Sequence, residues 1–161
     1  MTGVTVRPAR LEDAEAFTRA HEAAWDATLS PIAGRRLEEL VPFEERVERF
    51  RAGLDRPGVD ASILVAERGD EVVGEAVRVG SELRDLYVVP EAWGTGAGLA
   101  LMDEVLAEIR AGGATQATLW VVEANARARR FYEREGWEPT GETRETPMGP
   151  AELQYALRLR T

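Results

Sequence analysis

The residues with the clearest chemical meaning form a glycine-rich turn, WGTGAG, from Trp93 to Gly98. Within residues 87–106, this turn joins an apolar, strand-like stretch to a segment with apolar side chains at helical spacing. Backbone N–H groups in such a turn, together with the positive end of the helix, bind phosphate, because glycine leaves no Cβ in the way. The pattern therefore predicts a site for a cofactor that carries phosphate groups.

The spacing of the glycines excludes the dinucleotide-binding fingerprint GxGxxG. A match that starts at Gly94 requires a small residue at position 99, and one that starts at Gly96 requires it at position 101, but both positions are leucine. A dinucleotide-binding unit also tends to begin its domain, whereas a predicted strand meander precedes this turn. The alternative, a tight turn without a ligand, is disfavoured by the helix that follows.

Several catalytic chemistries need residue types that the chain lacks. All 20 basic residues are arginine, cysteine is absent, and His21 is the single histidine. The lack of lysine excludes a P-loop lysine and a Schiff base, and the lack of cysteine excludes a thiol nucleophile and a thiolate zinc site. With one histidine, a multi-histidine metal site is excluded too, and we expect no metal.

The charge of the chain bears on its partners and its location. With 20 basic and 29 acidic residues the net charge is −9, which repels nucleic acid and favours cationic small molecules or amines. No apolar run approaches the ~20 residues that cross a bilayer, and the N-terminus lacks the apolar stretch of a signal peptide. We therefore expect a cytoplasmic protein without a nucleic-acid or membrane partner.

The predicted strands and helices that carry the glycine-rich turn and the other candidate residues form one domain over residues 1–161. Apolar periodicity predicts strands at residues 4–6, 62–68, 72–79, 83–89, 115–122, 137–146 and 151–159, and helices over 11–29, 40–54, the segment after the glycine turn to Gly112, and 125–135. Short turns between the second, third and fourth strands predict an antiparallel meander. The order β-α-α-β-β-β-α-β-α-β-β is that of an α/β, or mixed α+β, domain.

Two correctly spaced motifs resemble the GNAT superfamily of acyl-CoA-dependent N-acetyltransferases. The family's pyrophosphate motif, [Gln/Arg]-x-x-Gly-x-[Gly/Ala] after a strand that ends near a proline, is similar to the turn that follows Pro90. Its later motif, an asparagine and then Phe-Tyr-x-x-x-Gly-[Phe/Trp], is similar to Asn125 with Phe131 to Trp137. The resemblance covers nearly the whole chain, and its departure is Trp93, where the family usually has Gln or Arg.

The resemblance implies a GNAT-like mixed sheet of six to seven strands, an antiparallel meander followed by parallel splayed strands, with about four helices. It also implies acetyl-CoA as cosubstrate, with its pantetheine arm paired to the edge of the fourth strand. The implied cofactor-binding residues are Leu86, Tyr87 and Val88 at that edge, Trp93, Gly94, Thr95, Gly96, Ala97, Gly98 and Leu99 in the turn, and Asn125 and Phe131.

By the same resemblance, Tyr132 is the candidate general acid. A tyrosine with a pKa near ~10 can donate a proton to a thiolate leaving group without being ionised at pH 7. The alternative is a packed boundary tyrosine. The basic residues of the same segment, Arg127, Arg129, Arg130 and Arg134, either reach the 3′-phosphate of coenzyme A or form a solvated helix face.

A base is useful because an ordinary amine arrives protonated. Glu82 occupies the fourth-strand position of a catalytic glutamate in some family members, and strand alternation predicts that it faces the side of Leu86 and Val88, opposite Leu83 and Asp85. Glu75 and Asp85 are the other candidates, and an exposed edge charge is the alternative for Glu82. The fifth-strand glutamate of the ribosomal-protein acetyltransferases is replaced by Trp120.

The resemblance and the charge together predict an acetyl-CoA-dependent N-acetyltransferase that acts on a primary amine by direct attack in a ternary complex. A small-molecule amine is favoured over a protein N-terminus, and His21, Trp25 and Glu75 are candidates to contact it. For His21 the alternative is a packed histidine with one hydrogen bond. The rival function is a non-catalytic acyl-CoA-binding sensor or interaction module. We expect a monomer or a homodimer.

Overall fold

One seven-stranded mixed sheet forms the centre of the computed structural model, which describes residues 3–54, 56–147 and 149–160. Its strands are β1 Val4–Pro8, β2 Ala61–Arg68, β3 Glu71–Val79, β4 Glu82–Val88, β5 Gln116–Val122, β6 Glu138–Thr146 and β7 Gly149–Arg158. Across the sheet the order is β1-β2-β3-β4-β5-β7-β6. The predicted α/β class, mixed sheet and strand positions are confirmed.

Among the described residues, four longer α-helices and two single-turn α-helices flank the sheet. They are α1 Ala14–Thr28, α2 Ser30–Ala33, α3 Leu37–Leu40, α4 Phe43–Leu54, α5 Ala97–Ala111 and α6 Ala126–Arg134. The helix predicted from residue 40 begins at Phe43, because Val41 before Pro42 is extended, the conformation that proline favours in its predecessor. Within the described ranges, no helix has the length and apolar character needed to cross a membrane.

Strands β2 to β4 form the predicted antiparallel meander, β1 pairs antiparallel with β2, and β4 lies parallel to β5. In the described sheet, β4 and β5 pair at Glu82 with Thr118, and the amide of Thr118 also donates to the carbonyl of Ser81 at 3.1 Å. By contrast, β5 pairs with β7 along its whole length. The two central strands therefore separate toward residues 86–88, where the edge of β4 is left open.

The sheet buries a cluster of apolar side chains on each face. The larger cluster joins β-strand residues to α5 and α6, and includes Leu101, Val105 and Trp137. The smaller cluster lies under α1 and α4 and includes Phe17 and Phe50, whose ring centroids are 4.5 Å apart. Helix α1 packs on β3 and β4. Its side chains therefore lie beside β4, the strand that separates from β5.

A β-bulge in β4 overturns the predicted facing of its side chains. Val77 pairs with Asp85 and the next residue of β3, Arg78, pairs with Leu83, so Arg84 is an extra residue. Leu83 consequently packs in the same cluster as Leu86 and Val88, and the prediction that it faces away from them is wrong. Simple alternation cannot place Glu82 on the side of Leu86, because one added residue reverses the facing beyond it.

Candidate active site

A cleft of about 560 Å³ opens where β4 and β5 separate. Its lining includes the edge of β4, the turn before α5, the start and one face of α6, and two residues of α1: Leu86, Tyr87, Val88, Trp93, Gly94, Gly96, Ala97, Gly98, Leu99, Asn125, Phe131, Tyr132, Ala24 and Thr28. Of the residues predicted to bind the cofactor, Thr95 is outside this lining. Its hydroxyl instead donates to the carbonyl of Ala92 at 2.6 Å.

The glycine-rich turn needs glycine at two positions for its backbone path. Gly94 and Gly96 have φ values of +80° and +89°, which side chains other than glycine rarely adopt. An added Cβ on Gly94 meets no described atom within 4 Å, so the turn is open on that side. Since α5 begins at Ala97, the free N–H groups of its first turn lie at the cleft, where helix geometry favours an anion.

Trp93 braces the turn against the end of β4. Its indole N–H donates to the carbonyl of Val88 at 2.8 Å. Both residues line the cleft, so the side chain that departs from the family motif holds the strand edge and the turn together.

Helix α6 places Tyr132 in the cleft wall. The side chain of Asn125 caps this helix by accepting the amide of Ala128 at 3.2 Å. The Tyr132 ring is buried between Phe131 and Trp137, with centroid distances of 5.4 and 5.9 Å. Burial, and then the nearby charge of Asp85, raise the pKa of Tyr132, so its hydroxyl stays protonated at neutral pH.

A partly buried cluster of titratable side chains lies between α1 and the sheet. His21 Nδ1 on α1 is 2.7 Å from Oε1 of Glu75 on β3, and each of these residues and Asp85 offers one potential ligand atom within 4.8 Å of the others. The ring of His21 also lies 4.6 Å, between centroids, from the ring of Tyr87. The cluster therefore adjoins the cleft through Tyr87.

The pKa values of all three groups lie above their ordinary values. Burial raises the pKa of Glu75 to about 7, although the hydrogen bond and charge of His21 act in the opposite direction. Burial lowers the pKa of His21, but the hydrogen bond and charge of Glu75 and the charge of Asp85 more than offset it, so the pKa lies above its usual value. Burial also raises the pKa of Asp85, to which the charge of Glu152 adds.

The structure brings together some of the predicted acceptor residues and separates others. His21 and Glu75 form the pair described above, and neither is part of the cleft lining. Trp25, one turn further along α1, is half-buried and also outside this lining. Glu82 begins β4 opposite Thr118, at the end where the strands are still joined, and is also outside the lining.

Sequence reasoning missed Glu152, Ala24 and Thr28. Glu152 sits on β7, beside Arg144 at 2.7 Å, and its charge acts on Asp85. Only the pairing of β7 with β5 brings Glu152 there, and no local pattern marks it. Ala24 and Thr28 lie three and seven residues after His21, so the helical repeat offered a signal for both.

The arginines of the α6 segment divide into two groups. Arg127, Arg130 and Arg134 line the cleft and are exposed. Arg129 instead donates to the hydroxyl of Tyr155 at 3.0 Å and to the carbonyl of Glu123 at 3.0 Å. Three arginines therefore lie where their charge can attract the phosphates of a ligand, and Arg129 links α6 to β7.

The sequence is similar to those of known N-acetyltransferases. The family model described as "Acetyltransferase (GNAT) domain" matches residues 35–147. An uncharacterized N-acetyltransferase of Mycobacterium tuberculosis (strain ATCC 25618 / H37Rv) is 39% identical over 115 residues, which are 68% of this chain and 72% of that protein. An uncharacterized N-acetyltransferase of Archaeoglobus fulgidus is 38% identical over 82 residues, 44% of this chain and 55% of that protein.

Solved structures share the fold at low sequence identity. The PaiA N-acetyltransferase of Thermoplasma acidophilum, in complex with coenzyme A, has a TM-score of 0.81 at 20% identity, over 96% of this chain and 98% of that one. The structure of YncA, a putative acetyltransferase from Salmonella typhimurium with its cofactor acetyl-CoA, has a TM-score of 0.71 at 22% identity, over 98% and 95%. At these identities the likeness is one of fold.

Proposed function

Since this chain belongs to the GNAT acetyltransferase family, we propose that it moves an acetyl group from acetyl-CoA to the primary amine of a small molecule, by direct attack in a ternary complex. Membership makes the chain an acyltransferase. One observation carries the finer proposal: a single cleft is lined at once by a phosphate-binding turn, an open strand edge and a buried tyrosine, Tyr132. A phosphate-bearing acyl carrier needs the first two features, and acyl transfer uses the third.

The cleft fits the phosphate end of coenzyme A. Gly94 and Gly96 have no Cβ to obstruct a ligand, and the N-terminus of α5 adds backbone donors. Arg127, Arg130 and Arg134 supply positive charge on the α6 side. An overall charge of −9 makes this local excess of cations significant, because elsewhere the chain repels phosphate.

The open edge of β4 fits an extended ligand. Residues 86–88 have β3 on one side and the cleft on the other. Backbone groups on such an edge bind an extended chain as an added strand, independently of their own side chains. This supports Leu86, Tyr87 and Val88 as the residues that hold the pantetheine arm.

Tyr132 is positioned to act as the general acid. Bound acetyl-CoA supplies a thioester, whose acyl carbon accepts the amine and whose sulfur leaves as a thiolate. Burial keeps the Tyr132 hydroxyl protonated, so that it can donate its proton to sulfur in the transition state. Backbone N–H groups at the strand edge can polarise the acyl carbonyl.

Tyr87 is an aromatic residue of the cleft lining that is close to several acidic side chains. Burial raises its pKa, and the charges of Asp85, Glu75 and Glu152 add to this effect. Carboxylates attract an ammonium group, and an aromatic ring packs against the carbon atoms beside it. This supports a small cationic amine as acceptor. Glu82 remains a predicted base, although its place at the joined end of β4 and β5 gives that role no support.

Thiol release from acetyl-CoA, measured across a panel of small primary amines and peptides, tests this proposal. We expect release that depends on the amine, with the acetylated amine identified by mass spectrometry. Release without any amine would indicate a thioesterase, and activity confined to peptide N-termini would overturn the small-molecule acceptor. Tight binding of acetyl-CoA without release for any amine would contradict acetyl transfer.

A further inference from the structure

We propose that His21 accepts the proton of the acceptor amine and that Glu75 is the buried carboxylate that orients its imidazole. The inference rests on the proposed acetyl transfer and adds the residue that makes the incoming amine nucleophilic. The proposal assigns this proton to neither Glu75 nor Glu82, the two glutamates predicted as bases.

The geometry of the pair leaves one imidazole nitrogen available. Nδ1 of His21 is 2.7 Å from Oε1 of Glu75, whose side chain is 0% exposed. A carboxylate at this distance holds the proton on Nδ1 and leaves the lone pair on Nε2. Among the described residues Nε2 has no hydrogen-bond partner, and 22% of the His21 side chain is exposed.

Burial decides which member of the pair can meet a substrate. Glu75 has no exposed surface, and its Oε2 is buried without a partner in the described residues. An acceptor amine cannot reach this carboxylate unless the structure opens, whereas part of the imidazole side chain is exposed. Because Oε2 has no partner, His21 is the one hydrogen-bond donor to Glu75 among the described side chains. The hydrogen bond between the two side chains is therefore the contact that orients the imidazole.

The position of His21 suits proton transfer beside the proposed acid. Its ring contacts Tyr87, which lines the cleft together with Tyr132. Ala24, one turn further along α1, is part of the same cleft wall. The proposed acceptor and donor of protons thus approach the open edge of β4 from two sides, α1 and α6.

The charges around His21 favour its protonated form after the transfer. Glu75 on β3 and Asp85 on β4 raise the pKa of His21 against the effect of burial, and Arg46 on α4 lowers it. Phe17 and Tyr87 are the rings that pack beside it. Because His21 and Glu75 share one hydrogen bond, the pair titrates as a unit.

In the proposed step, Nε2 of His21 takes one proton from the acceptor ammonium. The freed lone pair on nitrogen forms the bond to the acyl carbon, the carbon–sulfur bond breaks, and sulfur takes the electron pair and the proton of Tyr132. The new amide nitrogen gives a second proton to solvent. Solvent also removes the proton from His21 and returns one to Tyr132, so one proton is released for each acetyl group transferred. The products are the amide and free coenzyme A.

Kinetic pH profiles of matched variants test the role of His21. We expect His21→Asn to lower kcat/KM at pH 7 by about 10²- to 10³-fold. The rising limb of the profile should also move toward the pKa of the free amine, ~10, because the solution must then deprotonate it. Glu15→Gln, an exposed change on the same helix, should keep the wild-type profile.

A spectroscopic measurement tests the pair without relying on activity. Because the chain has one histidine, a single set of imidazole NMR signals reports its titration. We expect its pKa to lie above the usual value in the wild type and to fall in Glu75→Gln. An unshifted wild-type titration would overturn the proposal, even if the His21 variant failed to fold.

Other outcomes separate this inference from the proposed function. If the wild type acetylates amines and His21→Asn keeps both rate and profile, the inference alone fails. Loss of the rising limb in Glu82→Gln would assign the proton to Glu82 and overturn it too. Loss of wild-type activity on addition of a chelator would indicate that His21, Glu75 and Asp85 bind a metal ion, which also contradicts the proposal. If no amine is acetylated, the proposed function fails first.

Discussion

The guanidinium carbon of Arg127 lies 3.6 Å from the centre of the Trp93 indole ring. This stack joins α6 to the glycine-rich turn across the cleft, while the indole N–H is held by the carbonyl of Val88. A tryptophan at this position offers no charge to a phosphate, but its ring holds an arginine there by cation–π attraction. The pair therefore places a cation beside the glycine-rich turn although position 93 itself carries no charge.

Arg127→Ala is expected to weaken the binding of coenzyme A by ~3- to 30-fold, the loss of one partly exposed charge-assisted contact. Calorimetry measures the dissociation constant, and the effect should shrink at high salt. Arg129→Ala is the matched control, since Arg129 contacts Tyr155 and Glu123 outside the cleft. Equal losses in both variants would refute a specific role for the stack.

Gly96→Val is expected to abolish the binding of acetyl-CoA, because it places a side chain in the turn and strains a backbone with φ of +89°. Gly69→Val is the control for strain alone. Gly69 has φ of +66° with open space around it, in the turn between β2 and β3. Both variants should lose stability, and only the first should lose the ligand. Unchanged affinity for acetyl-CoA in a folded Gly96→Val variant would contradict phosphate binding by the glycine-rich turn.

Tyr132→Phe is expected to lower kcat by about 10²- to 10⁴-fold with little change in acetyl-CoA affinity, since it removes a proton donor and keeps the packed ring. Tyr155→Phe is the control. It removes a hydroxyl that donates to Glu133 and accepts from Arg129, so we expect a loss of about 1–3 kcal/mol of stability and unchanged turnover. Wild-type turnover of Tyr132→Phe, with chemistry limiting, would remove it from the mechanism.

Glu75→Gln is expected to change how stability depends on pH. The pKa of Glu75 is about 7 in the folded chain, above its ordinary 4.5, so the folded state binds the proton more tightly than the unfolded state. The wild type should therefore lose stability as the pH rises from about 4.5 to about 7. Urea unfolding at each pH should show that the free energy of unfolding of the wild type falls relative to that of the variant over this window. Parallel dependences on pH for the two proteins would contradict the raised pKa of Glu75.

The predictable part of the site lies in short, continuous segments. The strand, glycine turn and helix of residues 87–106 and the capped helix after Asn125 were predicted with nearly their observed bounds. Backbone preferences decide such features locally: glycine allows positive φ, and asparagine caps a helix. The facing of Glu82 was not predictable, because the bulge at Arg84 follows from how β3 and β4 pair.

The α/β class, the family and the turn that suits phosphate can be predicted from residue spacing, because each depends on only one or two elements. The contact between His21, Glu75 and Asp85 arises only when distant elements pack together. They come from α1, β3 and β4, and His21 and Glu75 are 54 residues apart in the chain. Such contacts depend on strand register and on how a helix packs across a sheet, which sum the interactions of many distant residues.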